Sequence, residues 1–137
     1  MHIYIFFVVL ALVIIVVIYR EFSFERIKEK TIVTMNIFKQ YIITTLDEIP
    51  INDPIIKVFF SKYKVDRIDD NKKLASNINK LTNKEKIYEM VTEYVNDTRT
   101  KMLELLKNYN KKDIVIDINK RSDDLIILFG INKYLSV

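Results

Sequence analysis

The chain has no cysteine, no tryptophan, one glycine, two prolines and one histidine in 137 residues. Each scarcity excludes a class of chemistry. Without cysteine there are no disulfides, no thiolate metal sites and no cysteine nucleophile. A single glycine, Gly130, cannot build a phosphate-cradling loop, because those motifs need at least two. A single histidine, His2, rules out a His-pair zinc site and argues against histidine acid–base catalysis. Alanine occurs only at Ala11 and Ala75. Ile, Lys, Asn, Tyr and Phe fill the chain instead. These residues have AT-rich codons, which points to an AT-biased genome and bears on source rather than on chemistry.

What is present begins with a long apolar run. Residues 1–19 carry no Asp, Glu, Lys or Arg, and fourteen of the sixteen residues Ile3–Ile18 are Ile, Val, Leu or Phe. Nineteen helical residues span about 28 Å, close to the roughly 30 Å of a bilayer's hydrocarbon core. Fourteen such residues favour insertion by about 4–8 kcal/mol. The run is therefore predicted to be a membrane anchor, with Ile3, Phe6, Phe7, Leu10, Ile14 and Ile18 facing lipid. Tyr19 sits at its end, where amphipathic rings prefer the interface, and His2 sits at the other end. A cleaved signal peptide is the competing reading. It would carry a basic start and small residues before the cut. Met1-His2 and Tyr19-Arg20-Glu21-Phe22 supply neither.

Orientation follows from the flanks. Arg20, Arg26, Lys28 and Lys30 follow the run and no Lys or Arg precedes it. The positive-inside rule then assigns residues 20–137 to the cytoplasmic or interior side. On that side Asn96-Asp97-Thr98, a glycosylation acceptor pattern, would be inert. Ala11 is the only small residue of the run, so tight pairing of two anchors through small residues is not expected.

No Pro/Gly/Ser-rich linker follows the anchor. Phe24, Ile27, Thr31, Met35, Phe38, Ile42 and Leu46 fall three to four apart and mark one face of a juxtamembrane helix over residues 20–48. Pro50 ends it. That face is too wide for a free stalk, so it should be packed. Residues 49–137 are predicted to form a small soluble domain. Asp53 is the expected N-cap, and Pro54 the first residue, of a short helix ending at Lys64. A polar break covers residues 66–71, and a further helix runs from Asp70 to Leu81. Thr82 and Glu85 have the spacing of a capping box. The longest soluble helix follows, to about Asn108, with Ile87, Val91, Tyr94, Thr98, Leu105 and Tyr109 along one face.

The tail changes character. Asp113-Ile114-Val115-Ile116-Asp117-Ile118 is β-branched and reads as a strand. Leu125–Ile131 then completes a β-hairpin, or else forms a helix starting at Ser122. Gly130 disfavours the helix by about 1 kcal/mol, so the hairpin is preferred. The predicted class is thus mainly α, a single transmembrane helix running into a small helical domain with a C-terminal β-hairpin.

Few residues suggest chemistry. Residues 57–86 carry nine Lys/Arg against four Asp/Glu. Lys57, Lys62, Lys64, Arg67 and Lys72 form the first part of a candidate basic contact surface. Lys73, Lys80, Lys84 and Lys86 complete it. Such a surface can meet anionic lipid headgroups or an acidic protein, or simply be solvated. Nucleic acid is not expected as a partner, since Lys outnumbers Arg 17 to 5 and base readout favours Arg and stacked aromatics. Asp66, Asp69 and Asp70 miss the EF-hand spacing and its glycine; they read as helix-start carboxylates. Asp113 and Asp117 would point outward from a strand. Tyr41, Tyr63, Tyr88, Tyr94 and Tyr109 fall mostly on apolar faces and read as core with the hydroxyl at the rim. No catalytic, metal or cofactor residue is assigned.

The expectation is a non-enzymatic, single-pass membrane-anchored scaffold subunit of a larger assembly, such as a membrane complex or a membrane-containing virion. Its partners would be the lipid bilayer and other protein subunits. The alternative is a membrane-recruited binding module that meets an acidic protein or anionic lipid through its Lys-rich surface. A carboxylate hydrolase using Asp113 and Asp117 is a distant third.

Overall fold

The computed structural model describes residues 2–107, 109 and 111–134, and every side chain within them except those of residues 2 and 19–22. Four helices account for the regular structure: α1 (His2–Asp47), α2 (Pro54–Lys80), α3 (Lys84–Leu105) and α4 (Lys112–Tyr134). At 1.5 Å per residue, α1 is about 69 Å long and the others about 33–40 Å. The first part of α1 therefore projects from one end of a bundle made by the rest.

Cross-helix contacts fix the topology. Asp47 at the end of α1 pairs with Lys64 near the start of α2. Asn71 Nδ2 donates to the Met35 carbonyl at 3.1 Å, and Lys28 Nζ donates to the Asn79 carbonyl at 3.1 Å. Helix α2 thus runs back toward the projecting segment. Helix α3 turns away again, with the Tyr63 hydroxyl donating to the Thr98 carbonyl at 3.1 Å and Phe60 meeting Tyr109 edge-on at 5.8 Å. Helix α4 returns along α3 through the Arg99–Asp123 pair, the Lys133–Glu89 pair at 2.9 Å, and Tyr88 stacked on Phe129 at 6.0 Å. The result is an up-down-up-down arrangement, the natural outcome of short connections between neighbouring helices.

The stripe on α1 packs as its spacing predicts. Thr31, Met35, Phe38, Ile42 and Leu46 are buried, and Phe24 and Ile27 are half-buried. Leu74, Ile78, Ile87, Val91, Val95, Met102, Leu106, Ile118 and Phe129 complete the core around them. Asp53 caps α2, its carboxylate accepting from the Ile55 amide at 2.9 Å, with Pro54 in the first turn. Helix α3 is capped one residue later than the capping-box spacing suggests. Asn83 is the cap, its Oδ1 accepting from the Glu85 amide at 2.8 Å.

Two expectations are corrected. No strand occurs among the described residues, and the predicted C-terminal β-hairpin is a single helix, α4. As a helix, Ile114, Val115, Ile118, Ser122, Leu125, Ile126 and Phe129 gather on one face that is buried or half-buried against the core. As a strand, they would be split between two faces. Burying Ile118 and Phe129 fully (0% and 2% exposed) is worth about 1.5–3 kcal/mol each. That outweighs the roughly 1 kcal/mol penalty of Gly130 and the modest β preference of Ile and Val. The second correction concerns α2, which is unbroken through residues 66–71. No Pro or Gly interrupts it after Pro54. Its polar middle turns Arg67 and Asn71 inward, on the same face as Phe60, Leu74 and Ile78.

Helices α1 and α4 do not close against each other. Two clefts lie between them. One, of about 350 Å³, is lined by Ser23, Arg26, Lys30, Leu128 and Asn132 among others. The next, of about 290 Å³, runs from Ile37 and Leu128 to Tyr41 and Arg121.

Candidate functional site

The projecting part of α1 is uncovered on every side. Ile3, Phe6, Phe7, Leu10, Ile14 and Ile18 are 71%, 65%, 61%, 45%, 50% and 60% exposed. Its apolar side chains occupy the whole circumference rather than a stripe. The helix that carries them is long and apolar enough to cross a membrane and lies near the N-terminus. Such a surface is costly to leave in water, where apolar area costs about 25 cal/mol per Å². A helix satisfies all its backbone groups internally, so hydrocarbon can solvate it. The side chains of Tyr19 and His2 lie outside the described residues.

The basic residues of 57–86 do not converge on one surface. Lys57, Lys62, Lys72, Lys73, Lys80 and Lys86 are exposed, and Lys64 and Lys84 are half-buried. Lys62, Lys73 and Lys80 share an outward face of α2, but Asp66 and Asp69 interleave there at helical spacing. Lys64 is engaged by Asp47. Arg67 is only 4% exposed and belongs to the interior. Its Nη1 donates to Thr98 Oγ1 at 3.3 Å, its Nη2 pairs with Asp70 at 2.7 Å, and its guanidinium lies 5.1 Å from the Tyr63 ring. Its Nε has no partner.

That polar layer explains the neighbouring tyrosines. Burial pushes the Tyr63 and Tyr94 hydroxyls above the usual tyrosine range, and Arg67 opposes the shift. Burial also raises Tyr88. On the opposite side of the bundle the Tyr41 hydroxyl donates to Asp117, and Arg121 covers the Tyr41 ring at 4.3 Å while pairing with Asp117 at 3.1 Å. Burial, reinforced by the Asp117 charge, pushes Tyr41 up to about 12. The same hydrogen bond holds Asp117 below the usual carboxylate range.

These surroundings make Asp117 a fixed anion that ties α4 to α1. Asp113 is exposed one turn earlier. Both sit on a helix rather than on the strand assigned to them. Asp66 and Asp69 are exposed in the middle of α2, far from its N-terminus, and Asp70 serves Arg67. Among the described residues no group of three or more His, Asp or Glu gathers as a metal cluster would.

The chain matches no protein-family model, no curated protein and no solved structure.

Sequence reasoning missed the inward polar side chains Lys28, Arg67, Asn71 and Ser122. Lys28 is 7% exposed, 4.7 Å from the Phe24 ring, with Nζ on the Asn79 carbonyl. Arg67 and Asn71 are buried on α2. A signal existed in the spacing, since 60, 67, 71, 74 and 78 continue one helical face when polar residues are allowed on it.

Proposed function

We propose that this protein is a non-enzymatic, single-pass membrane-anchored scaffold subunit. Residues 3–18 span the bilayer, and the four-helix bundle stands on the cytoplasmic or interior side as a rigid module for other subunits. The observation that carries the reading is α1 itself. One helix without Pro or Gly is apolar all round over residues 3–18 and striped over residues 24–46. A core helix would be covered by its own chain, and this segment is not. A signal sequence would be followed by a small-residue cleavage site, and none is present. Sidedness rests on Arg20, Arg26, Lys28 and Lys30.

The scaffold part rests on uncovered apolar side chains on the bundle. Val33 and Ile37 on α1, Ile55, Val58 and Phe59 on α2, and Ile127 on α4 are 55–68% exposed. Single exposed apolar residues are ordinary, but groups of them mark contact surfaces. The test is the native mass of the full-length protein, extracted gently in detergent from its source, at low and high salt. A large, salt-resistant complex is expected. A large complex that dissociates in salt would favour the binding-module alternative, since screening weakens contacts between exposed charges. A monomer in both conditions would overturn both.

A further inference from the structure

The bundle's orientation on α1 brings a second part of the chain to the level of the membrane surface. Tyr41 on α1 bonds Asp117 on α4, and the two helices run in opposite directions from there. Counting down both from that bond sets Tyr134 level with Phe24 and Ile131 level with Ile27. The cleft shared by Ser23, Arg26 and Asn132 agrees with this register. Phe24 lies five residues past Tyr19, about 7–8 Å along the helix. The headgroup layer is about 5–8 Å thick on each side. Tyr134 is 83% exposed and Ile131 is 54% exposed.

The turn between α2 and α3 arrives at the same level. Lys28 holds the Asn79 carbonyl at 3.1 Å, so residues 80–84 lie at the near end of the bundle, with Lys80 and Lys86 exposed there. Arg26, Lys30 and Lys133 add to this end, opposed by Glu25, Glu29, Glu85 and Glu89. The balance is only weakly basic. An aromatic at the edge of the headgroup layer, with an isoleucine and long lysines just outside it, is a set of residue types that settles against an interface.

We propose that the near end of the bundle is itself a membrane contact. The last turn of α4 seats through Tyr134 at the outer edge of the headgroup layer of the bilayer that holds α1, with Ile131 about 12 Å past Tyr19, just outside that layer, and the lysines of the α2–α3 turn reaching toward it. This rests on α1 being the anchor, so the test separates the two.

The natural absence of cysteine allows single labels to be introduced cleanly. Ile15→Cys, Ile116→Cys, Ile131→Cys and Tyr134→Cys are made in the full chain, labelled with an environment-sensitive fluorophore, and reconstituted into vesicles of phosphatidylcholine and phosphatidylserine. Quenching is read with nitroxides on either the headgroup or the acyl chain. All four positions are exposed, so labels do not enter the core; far-UV circular dichroism checks the fold. Label 15 is expected to be quenched from the acyl chain. Label 134 should be quenched from the headgroup severalfold more than label 116, with label 131 in between. Labels 131 and 134 as unquenched as label 116, with label 15 quenched, overturn the seat and leave the anchor. Label 116 quenched as strongly as label 134 overturns it too, because the bundle then lies on the surface. Label 15 unquenched overturns the anchor and the seat together.

Discussion

The two halves of α1 are a controlled comparison within one helix. Residues 3–18 and residues 24–46 share backbone conformation, length scale and an abundance of Ile, Val and Phe. They differ in how apolar residues are distributed around the axis. In the second half Met35, Ile42 and Leu46 are at most 1% exposed, while Asn36, Gln40 and Thr44 face outward. In the first half even the least exposed of the large apolar side chains, Leu10, is 45% exposed. A stripe asks for protein on one side and water on the other. An all-round apolar surface asks for one solvent everywhere. The same residue types therefore suit two different surroundings, and their angular distribution distinguishes the halves.

The largest expected effect comes from removing the first half. Deleting residues 2–18 withdraws about 4–8 kcal/mol of insertion free energy. The protein should move from the membrane pellet to the supernatant while its helical circular dichroism per residue is retained. Loss of the bundle fold on deletion would break the comparison, because the halves would then not be independent. Next come substitutions that swap roles. Ile42→Ala should lower bundle stability by about 2–5 kcal/mol in denaturant titrations. Ile15→Ala should leave the same titration unchanged. Val13→Arg puts a charge mid-span and should cost about 2.5–3.5 kcal/mol of insertion, read as increased alkaline extraction from membranes.

Smaller effects sharpen the account of the packed half. Asp70→Ala leaves the Arg67 charge without its carboxylate and should destabilise by about 1–3 kcal/mol. Arg67→Met combined with Asp70→Ala, which removes both charges of the pair, should be less destabilising than Asp70→Ala alone. Comparing their unfolding midpoints checks the assignment. Smallest is a pH effect. Tyr41, Tyr63, Tyr88 and Tyr94 are all raised by burial, Tyr41 to about 12. Their contribution is fully present below the unfolded tyrosine value near 10. It is lost as pH rises toward the folded values, because only the unfolded chain ionises readily. Unfolding midpoints should therefore hold to about pH 10 and fall above it. A profile flat through that range would contradict the burial.

Much of this was legible in the residues. The stripe from Phe24 to Leu46, the stop before Pro50 and the Asp53-Pro54 start depend on periodicity and local backbone rules, and both are local. The tail was not legible, because Ile114 to Ile118 favours a strand locally and only packing of one face against the core beside α3 makes a helix the better solution. The middle of α2 was not legible either. Arg67 and Asn71 look like a solvated break until their partners, Thr98, Asp70 and the Met35 carbonyl, come into reach from elsewhere. The basic surface was counted correctly in sequence but not in space, since helical rotation scatters it and mixes in Asp66 and Asp69.

The unbroken junction of α1 has a mechanical meaning. No proline or glycine interrupts residues 2–47, so the sequence offers no proline or glycine kink site between the apolar segment and the packed one. A spanning helix answers a change in hydrocarbon thickness by tilting. On the proposed reading of residues 3–18 as an anchor, that tilt would be carried into the bundle as by a lever. The arm from Tyr19 to Asp47 is about 42 Å, so a tilt of about 10° swings its tip sideways by about 7 Å. On that same proposed reading, a subunit held at the far end would be geared to the thickness of the membrane below.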